Sequence, residues 1–323
     1  MTVKERMAQL KDTLLGRFGV RKTEAQKTAF VRWALAYAGE RGIPACVEES
    51  GKYVRSRNIV FGDVDRARTI ITAHYDTCAR LPVSNFATPG NLPVMILSEA
   101  LLFAAVGVIG WLCGQGMRLA LAVLAVLAVP GSAAQVLAVM TGIAVSLALV
   151  AMMLVGPANR HNANDNTSGV LLLLLMMEAL REHPGVAFVL FDNEEKGLLG
   201  SMAFIKAHPQ AARRYLLNLD CVGDGDTLLF TGTKIGMRMP QAKKLLAALE
   251  ENGGQAGYRI ATGEFPKWIY PSDQMLFPRG TALAALKGKR LLYMDRIHTS
   301  RDTVLDEATV ACFYKAIVGS IQG

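Results

Sequence analysis

Paired cysteines are missing from this sequence. The five that occur, Cys46, Cys78, Cys113, Cys221 and Cys312, are odd in number and none forms a C-x-x-C pair. That argues against a disulfide framework and against zinc-finger spacing, and it suits a reducing compartment. Charge is nearly absent from residues 92–157, where only Glu99 and Arg118 carry any. The N-terminal stretch MTVKERMAQLKDTLLGRFGVRKTEAQK has the opposite character. It is charged throughout and lacks an apolar core, so it does not read as a signal peptide. Aromatic-studded basic runs are lacking too, so the net charge of +8 is not read as a nucleic-acid surface.

The hydrophobic excess is local. Hydrophobic residues make up 51% of the chain, and the mean hydropathy is +0.27. The excess lies in 92–157; the rest resembles an ordinary globular protein. The length fits one domain plus an extra element. The expected division is a domain built from 1–91 and 158–323, with 92–157 inserted in it. Runs 94–113 and 136–155 are each 20 residues long, enough to cross a bilayer as helices. Run 119–129 is too short to span alone, and Pro130-Gly131-Ser132 breaks it from the run at 136–155. Glu99 lies near the start of the first run, where interfacial placement is tolerable. The competing reading is a buried core or an oligomer interface in a soluble protein.

Outside the insert, residues 3–39 read as two amphipathic helices with a break near Phe18-Gly19. Strand-like runs succeed them at 45–48, 53–61 and 69–73. Beyond the insert the pattern gives a helix at 166–182, a strand at 186–191 and a helix at 198–207. Strands at 215–220 and 227–231, a helix at 240–251 and a strand at 282–286 complete it. Strands alternating with helices predict an α/β fold with a mixed, largely parallel central sheet flanked by helices.

Ligands of open α/β sheets gather at the carboxyl ends of strands. RTIITAH ends at His74, with Asp76 two residues on; VAFVLFDNEE ends at Glu194 and Glu195; YLLNLD ends at Asp220; RLLYMDRIH ends at His298. ANDNTSG carries Asp165 at a helix start. Each alone is more simply a surface pair, a solvated loop or a helix cap. Together they form a histidine–carboxylate set suited to zinc, cobalt or manganese. Residues two apart on a strand share a face, so Asp76 is expected to orient His74 through its non-ligating nitrogen. Consecutive Glu194 and Glu195 can point differently, one toward metal and one toward a proton.

These motifs resemble family twenty-eight of the metallopeptidases, the di-zinc aminopeptidase family. The similarity runs in order through RNIVFGDVDRARTIITAHYDT, NDNTSGV, FVLFDNEEKGLLGS, NLDCVG, PSDQMLFPRGTALAAL and IHTSRDT. It covers roughly residue 18 to the C-terminus apart from the insert. Gln274 departs from it, standing where many relatives have His. The 91 positions between His74 and Asp165 (165 − 74) depart too, because the insert lies between them.

The resemblance implies two zinc ions. His74 and Asp220 would hold one and Glu195 and His298 the other, with Asp165 bridging. It implies Glu194 as general base and Asp76 as the orienter of His74. The implied reaction removes N-terminal residues from peptides with a free N-terminus. Both ends of the insert must return to one site, so an even number of crossings is expected, as a transmembrane helical hairpin in the lipid bilayer. Arg80, Arg160 and the basic domain put the catalytic part in the cytoplasm by the positive-inside tendency. Membrane-associated peptides are an expected substrate source, and a homo-oligomer is compatible with the apolar insert. Rival readings are a glutaminyl-cyclase-like acyltransferase, which uses a single zinc, an amide hydrolase or carboxypeptidase, and a non-catalytic membrane scaffold. Segment 265–271 (FPKWIYP) is a candidate pocket lining or a loop packed on the sheet.

Overall fold

The computed structural model describes residues 1–81, 86–123 and 131–323. The chain divides into two compact units, Met1–Leu92 with Ala158–Gly323, and Pro93–Pro157. In the first, Thr2 caps α1 (Val3–Phe18) and Thr23 caps α2 (Glu24–Gly39). Each hydroxyl accepts from the third helical N–H while Glu5 or Gln26 returns a bond to the cap, so the helix starts are written locally.

The sheet is built from β1 (Ala45–Ser50), β2 (Ser56–Phe61), β3 (Thr69–His74), β4 (Val186–Phe191), β5 (Tyr215–Leu219), β6 (Thr227–Gly232), β7 (Arg259–Glu264) and β8 (Gly280–Leu286). Their spatial order is β1-β2-β4-β3-β5-β8-β6-β7. The centre, β4-β3-β5-β8, is parallel. β2 flanks β4 antiparallel and β1 pairs antiparallel with β2; β6 is antiparallel to β8, while β6 and β7 run parallel. β3, β5 and β8 are buried end to end, which their largely apolar composition permits.

Alternate side chains feed two layers. Ile71, Ala73 and Leu217 pack with α1, α2, α5 (Gly169–Ala179), α8 (Pro240–Gln255) and α9 (Glu307–Gln322). Ile70 and Leu216 pack with Phe204 of α6 (Leu199–Ala207) on the other face. α5 is apolar all round, and Gly169 through Met177 are buried, so it is a core helix. A single-turn α7 (Lys234–Met237) comes after β6.

Three expectations need correction. Helix α5 starts at Gly169 and not at 166, because Asp165 and Asn166 have non-helical dihedrals and the Asn166 side-chain oxygen accepts from the N–H of Gly169. RLLYMDRIH is not a strand. Gly288, at φ +94°, turns the chain after β8, and only isolated bridges at Tyr293 and Met294 remain. β7 and α9 have no counterpart among the sequence-based elements. β7 is half-exposed along its length and shows no alternation.

The second unit holds α3 (Leu92–Val123) and α4 (Gly131–Val155). Both are long and apolar enough to cross a membrane, and their apolar side chains are mostly exposed. They meet where side chains are small: a Cβ on Gly114 would lie 2.5 Å from the Ala138 carbonyl, and one on Gly142 3.0 Å from that of Gly110. Of the run 119–129, residues 119–123 continue α3; the others, and Pro130, lie outside the described residues.

Candidate metal centre

The carboxyl ends of β3, β4 and β5 lie side by side, so the residues just beyond them converge. His74 closes β3. Glu194 and Glu195 sit on a 3₁₀ turn just after β4, and Asp220 comes directly after β5. Asp165 arrives on the irregular stretch before α5, and His298 on the loop after β8, in the left-handed region at φ +60°.

Asp165 stands between the two imidazoles. Its Oδ1 is 3.3 Å from His74 Nε2 and its Oδ2 is 3.0 Å from His298 Nε2. Asp220 Oδ1 lies 3.6 Å from His74 Nε2, and Glu195 Oε2 lies 3.3 Å from His298 Nε2. Glu195 Oε1 and Asp220 Oδ1 are buried without a hydrogen-bond partner. Buried carboxylate oxygens left unpaired are costly, and a cation is the natural partner. Ligand atoms of His74, Asp165 and Asp220 lie within 4.8 Å of one another, as do those of His74, Glu194 and Glu195. The donor set and spacing fit a divalent metal of the zinc type.

The electrostatics of the metal-free protein point the same way. Burial pushes the Glu194 carboxyl well above its ordinary range, with Glu195, Asp273 and Asp220 adding to the effect against His74. Burial and Asp165 raise Glu195 to about 8, against the pull of His298 and His74. Burial opposes charge on His298, yet Glu195 and Asp165 outweigh it and bring its pKa to about 9. His74 is likewise raised by Glu194, Asp165 and Asp220 against its own burial. Asp165 alone is lowered, its burial overcome by the two imidazoles. A cluster so rich in carboxylates retains protons until a cation replaces them.

Positioning around this cluster differs in part from expectation. His74 Nδ1 faces the Asp76 main-chain carbonyl at 3.1 Å, and the Asp76 carboxylate is further away, at 3.6 Å. That carboxylate instead accepts the N–H groups of Glu194, at 3.0 Å, and Glu195, at 3.2 Å. Gln274 accepts from Asn218 Nδ2 at 3.1 Å and donates to the Tyr270 carbonyl at 2.6 Å, while the Tyr270 hydroxyl donates to the Asp220 carbonyl at 3.1 Å. Gln274 thereby anchors the loop that abuts Asp220. Thr231, Phe265, Trp268, Tyr270 and Met275 enclose a cavity of about 100 Å³ beside it.

Four residues near the site escaped the sequence reading. Asp302 accepts from Asn164 and Asp165, and burial together with Asp165 raises its pKa to about 8. Asp273 is buried with both oxygens unpartnered, and burial raises it to about 7. Arg21 is fully buried and donates to the carbonyls of Phe18 and Tyr75 and to Thr167 Oγ1. Lys27 is also fully buried, 2.9 Å from Asp192 at the end of β4. Asp302 was readable in IHTSRDT, four residues after His298; nothing in the sequence marks Lys27 as a core residue.

Fold and site together define a mixed-sheet α/β protein of metallopeptidase type with a histidine–carboxylate cluster that could hold a metal ion. The chain belongs to Peptidase family M28, whose profile matches residues 150–317, more than half of it. His74 and Asp76 lie upstream of that match. No curated protein matches the sequence. Among solved structures, a glutaminyl cyclase of Porphyromonas gingivalis superposes with a TM-score of 0.62 at 16% identity, over 99% of this chain and 98% of its own. A leucine aminopeptidase precursor of Bacteroides thetaiotaomicron gives 0.58 at 14%, over 99% and 96%. The LapA aminopeptidase of Legionella pneumophila gives 0.53 at 14%, over 99% and 68%. At these identities the likeness establishes the fold.

Proposed function

We propose that this chain is a zinc aminopeptidase held in a lipid bilayer by α3 and α4. The observation that carries the reading is Asp165, whose two oxygens each face one histidine, with Asp220 and Glu195 beside them. His74, Asp165 and Asp220 would hold one zinc, and Asp165, Glu195 and His298 the other. Zinc bound there supplies Lewis acidity, polarising a scissile carbonyl and acidifying water.

Every other part belongs to the protein. Glu194 is the proton carrier: its carboxylate takes the proton of the attacking water and returns it to the leaving amine. Asp76 holds that glutamate in place through its main-chain N–H. The surplus of carboxylates around Asp220 and Asp273 suits the ammonium of a free peptide N-terminus. The cavity walled by Phe265, Trp268 and Tyr270 suits an apolar first side chain.

Purified protein in detergent with added zinc should remove the first residue from a free-amine peptide and spare its acetylated twin. Glu194→Gln should bind zinc and lose about 10²–10⁴-fold in kcat. Cleavage of the acetylated peptide as well would overturn the exopeptidase reading. The fold is shared with glutaminyl cyclases, so peptides beginning with glutamine are the second substrate to test. Ammonia release without a new N-terminus would replace hydrolysis by cyclisation.

Membrane anchoring rests on the exposed apolar faces of α3 and α4. The protein should resist carbonate extraction and need detergent. The basic first unit favours the cytoplasmic side for the catalytic part, and protease should then reach it only in inside-out vesicles.

A further inference from the structure

Cys78 stands four residues beyond His74, in a loop that returns past the site. Its position is set by the main chain: Thr77 N–H donates to the Arg21 carbonyl at 3.3 Å, and Asn159 N–H donates to the Cys78 carbonyl at 3.2 Å. An isolated bridge pairs Ala79 with Ala158. The thiol is 1% exposed and out of reach of ordinary solvent chemistry. It is not walled in by hydrocarbon, however. The Cys78 sulfur, a Glu195 carboxylate oxygen and a His298 ring nitrogen all lie within 4.8 Å of one another. The other face of the same carboxylate is also open to a cation: Glu195 Oε1 is buried with no hydrogen-bond partner, and the Glu195 side chain is 8% exposed. The thiol also faces Asn162 Oδ1, 3.4 Å away, and the side chain of Asn159.

We propose that Cys78 is a ligand of the metal ion held by Glu195 and His298. This rests on the metal-centre reading given above. Zinc bonds sulfur at about 2.3 Å and nitrogen or oxygen at about 2.0–2.2 Å, so tetrahedral ligands of one ion sit roughly 3.3–3.7 Å apart. The spacing of sulfur, carboxylate and imidazole needs only small closure to reach that. On binding, the thiol releases its proton to solvent and gives up its contact with Asn162; the sulfur lone pair forms the bond to the metal. With Asp165, this ion then has four protein ligands, one of them soft. His74, Asp165 and Asp220 would give the other ion three protein ligands. The two halves of the centre differ accordingly: the sulfur-bearing half favours zinc or cobalt over manganese, and releases its ion last.

X-ray absorption of the zinc-loaded wild-type protein tests this without any substitution. A Zn–S shell at about 2.3 Å is expected. The cobalt-loaded protein should show sulfur-to-cobalt charge-transfer absorption that Cys78→Ser abolishes and Cys221→Ser retains. Tightly bound metal with no sulfur shell and no such absorption overturns the assignment of Cys78 and leaves the metal centre standing. Failure of the wild-type protein to bind zinc or cobalt at all overturns both.

Discussion

Asp302 stands directly behind Asp165: one of its oxygens accepts the Asp165 N–H at 3.0 Å, and the other accepts that of Asn164 at 2.8 Å. Asp165 has non-helical dihedrals within the irregular stretch before α5, so its backbone direction is not set by regular helix. Asp302 fixes it. Asp302→Ala is expected to weaken metal binding by about 10–100-fold, the usual effect of losing an outer partner of a ligand. Competition with a chelator measures it, and an unchanged affinity in a folded variant counts against the role.

Asp76 does for the glutamates what Asp302 does for Asp165. Asp76→Ala leaves the N–H groups of Glu194 and Glu195 without their acceptor. The turn carrying Glu194, the proposed proton carrier, should then shift. A displacement of about 1 Å costs on the order of 10²-fold in rate, so kcat should fall far more than KM rises. Steady-state kinetics on a free-amine peptide separates the two.

Metal uptake should release protons, and the sign comes from two raised pKa values. At pH 7 the metal-free protein keeps a proton on His298, raised from 6.5 to about 9, and on Glu195, raised from 4.5 to about 8. A cation displaces both, so affinity rises with pH up to about 9. The same groups bind more protons folded than unfolded between about 4.5 and 9. The metal-free fold therefore loses stability as pH rises through that window, and the loaded protein loses less. Calorimetry in buffers of different ionisation heat reads the protons directly. An uptake heat that is independent of buffer contradicts the prediction.

Lys27 and Asp192 form a fully buried pair that ties α2 to the end of β4, two residues before Glu194. Asp192 also accepts from the N–H of Arg57 at 2.9 Å, and Lys27 donates to Asn193 Oδ1 at 3.0 Å. Lys27→Met strands the carboxylate and should cost about 3–5 kcal/mol. Chemical denaturation measures it. Adding Asp192→Asn should restore part of the loss, because the uncompensated charge is gone. A Lys27→Met variant as stable as wild type would mean that the pair contributes nothing net.

Local signals carried the elements whose pattern is complete within a few residues. The strand 186–191 is a continuous apolar run, and the structure begins and ends β4 at the same residues. The starts of α1 and α2 come from capping boxes. β7 was not legible, since an edge strand with half-exposed side chains has no period to detect. The stretch 290–298 misled, because its Met294 and Ile297 pack onto β8 from a loop that makes only isolated bridges, to Ala87 and Lys287, and joins no strand of the sheet. Lys27 and Arg21 were illegible for a different reason. A charged residue on or beside an amphipathic helix reads as solvated, and only the partner across the core turns it inward.

By itself the sequence determined the α/β alternation, the apolar insert and the order of the motifs, because these depend on neighbours a few positions apart. Tertiary structure alone decided that His74 and Asp165, 91 positions apart (165 − 74), would face one another. It also decided that Asp76 would hold the glutamate turn, that Asp302 would stand behind Asp165, and that Cys78 would lie beside Glu195 and His298. The parallel centre of the sheet brings three strand ends to one edge, and the burial reached there leaves carboxylate oxygens without hydrogen-bond partners.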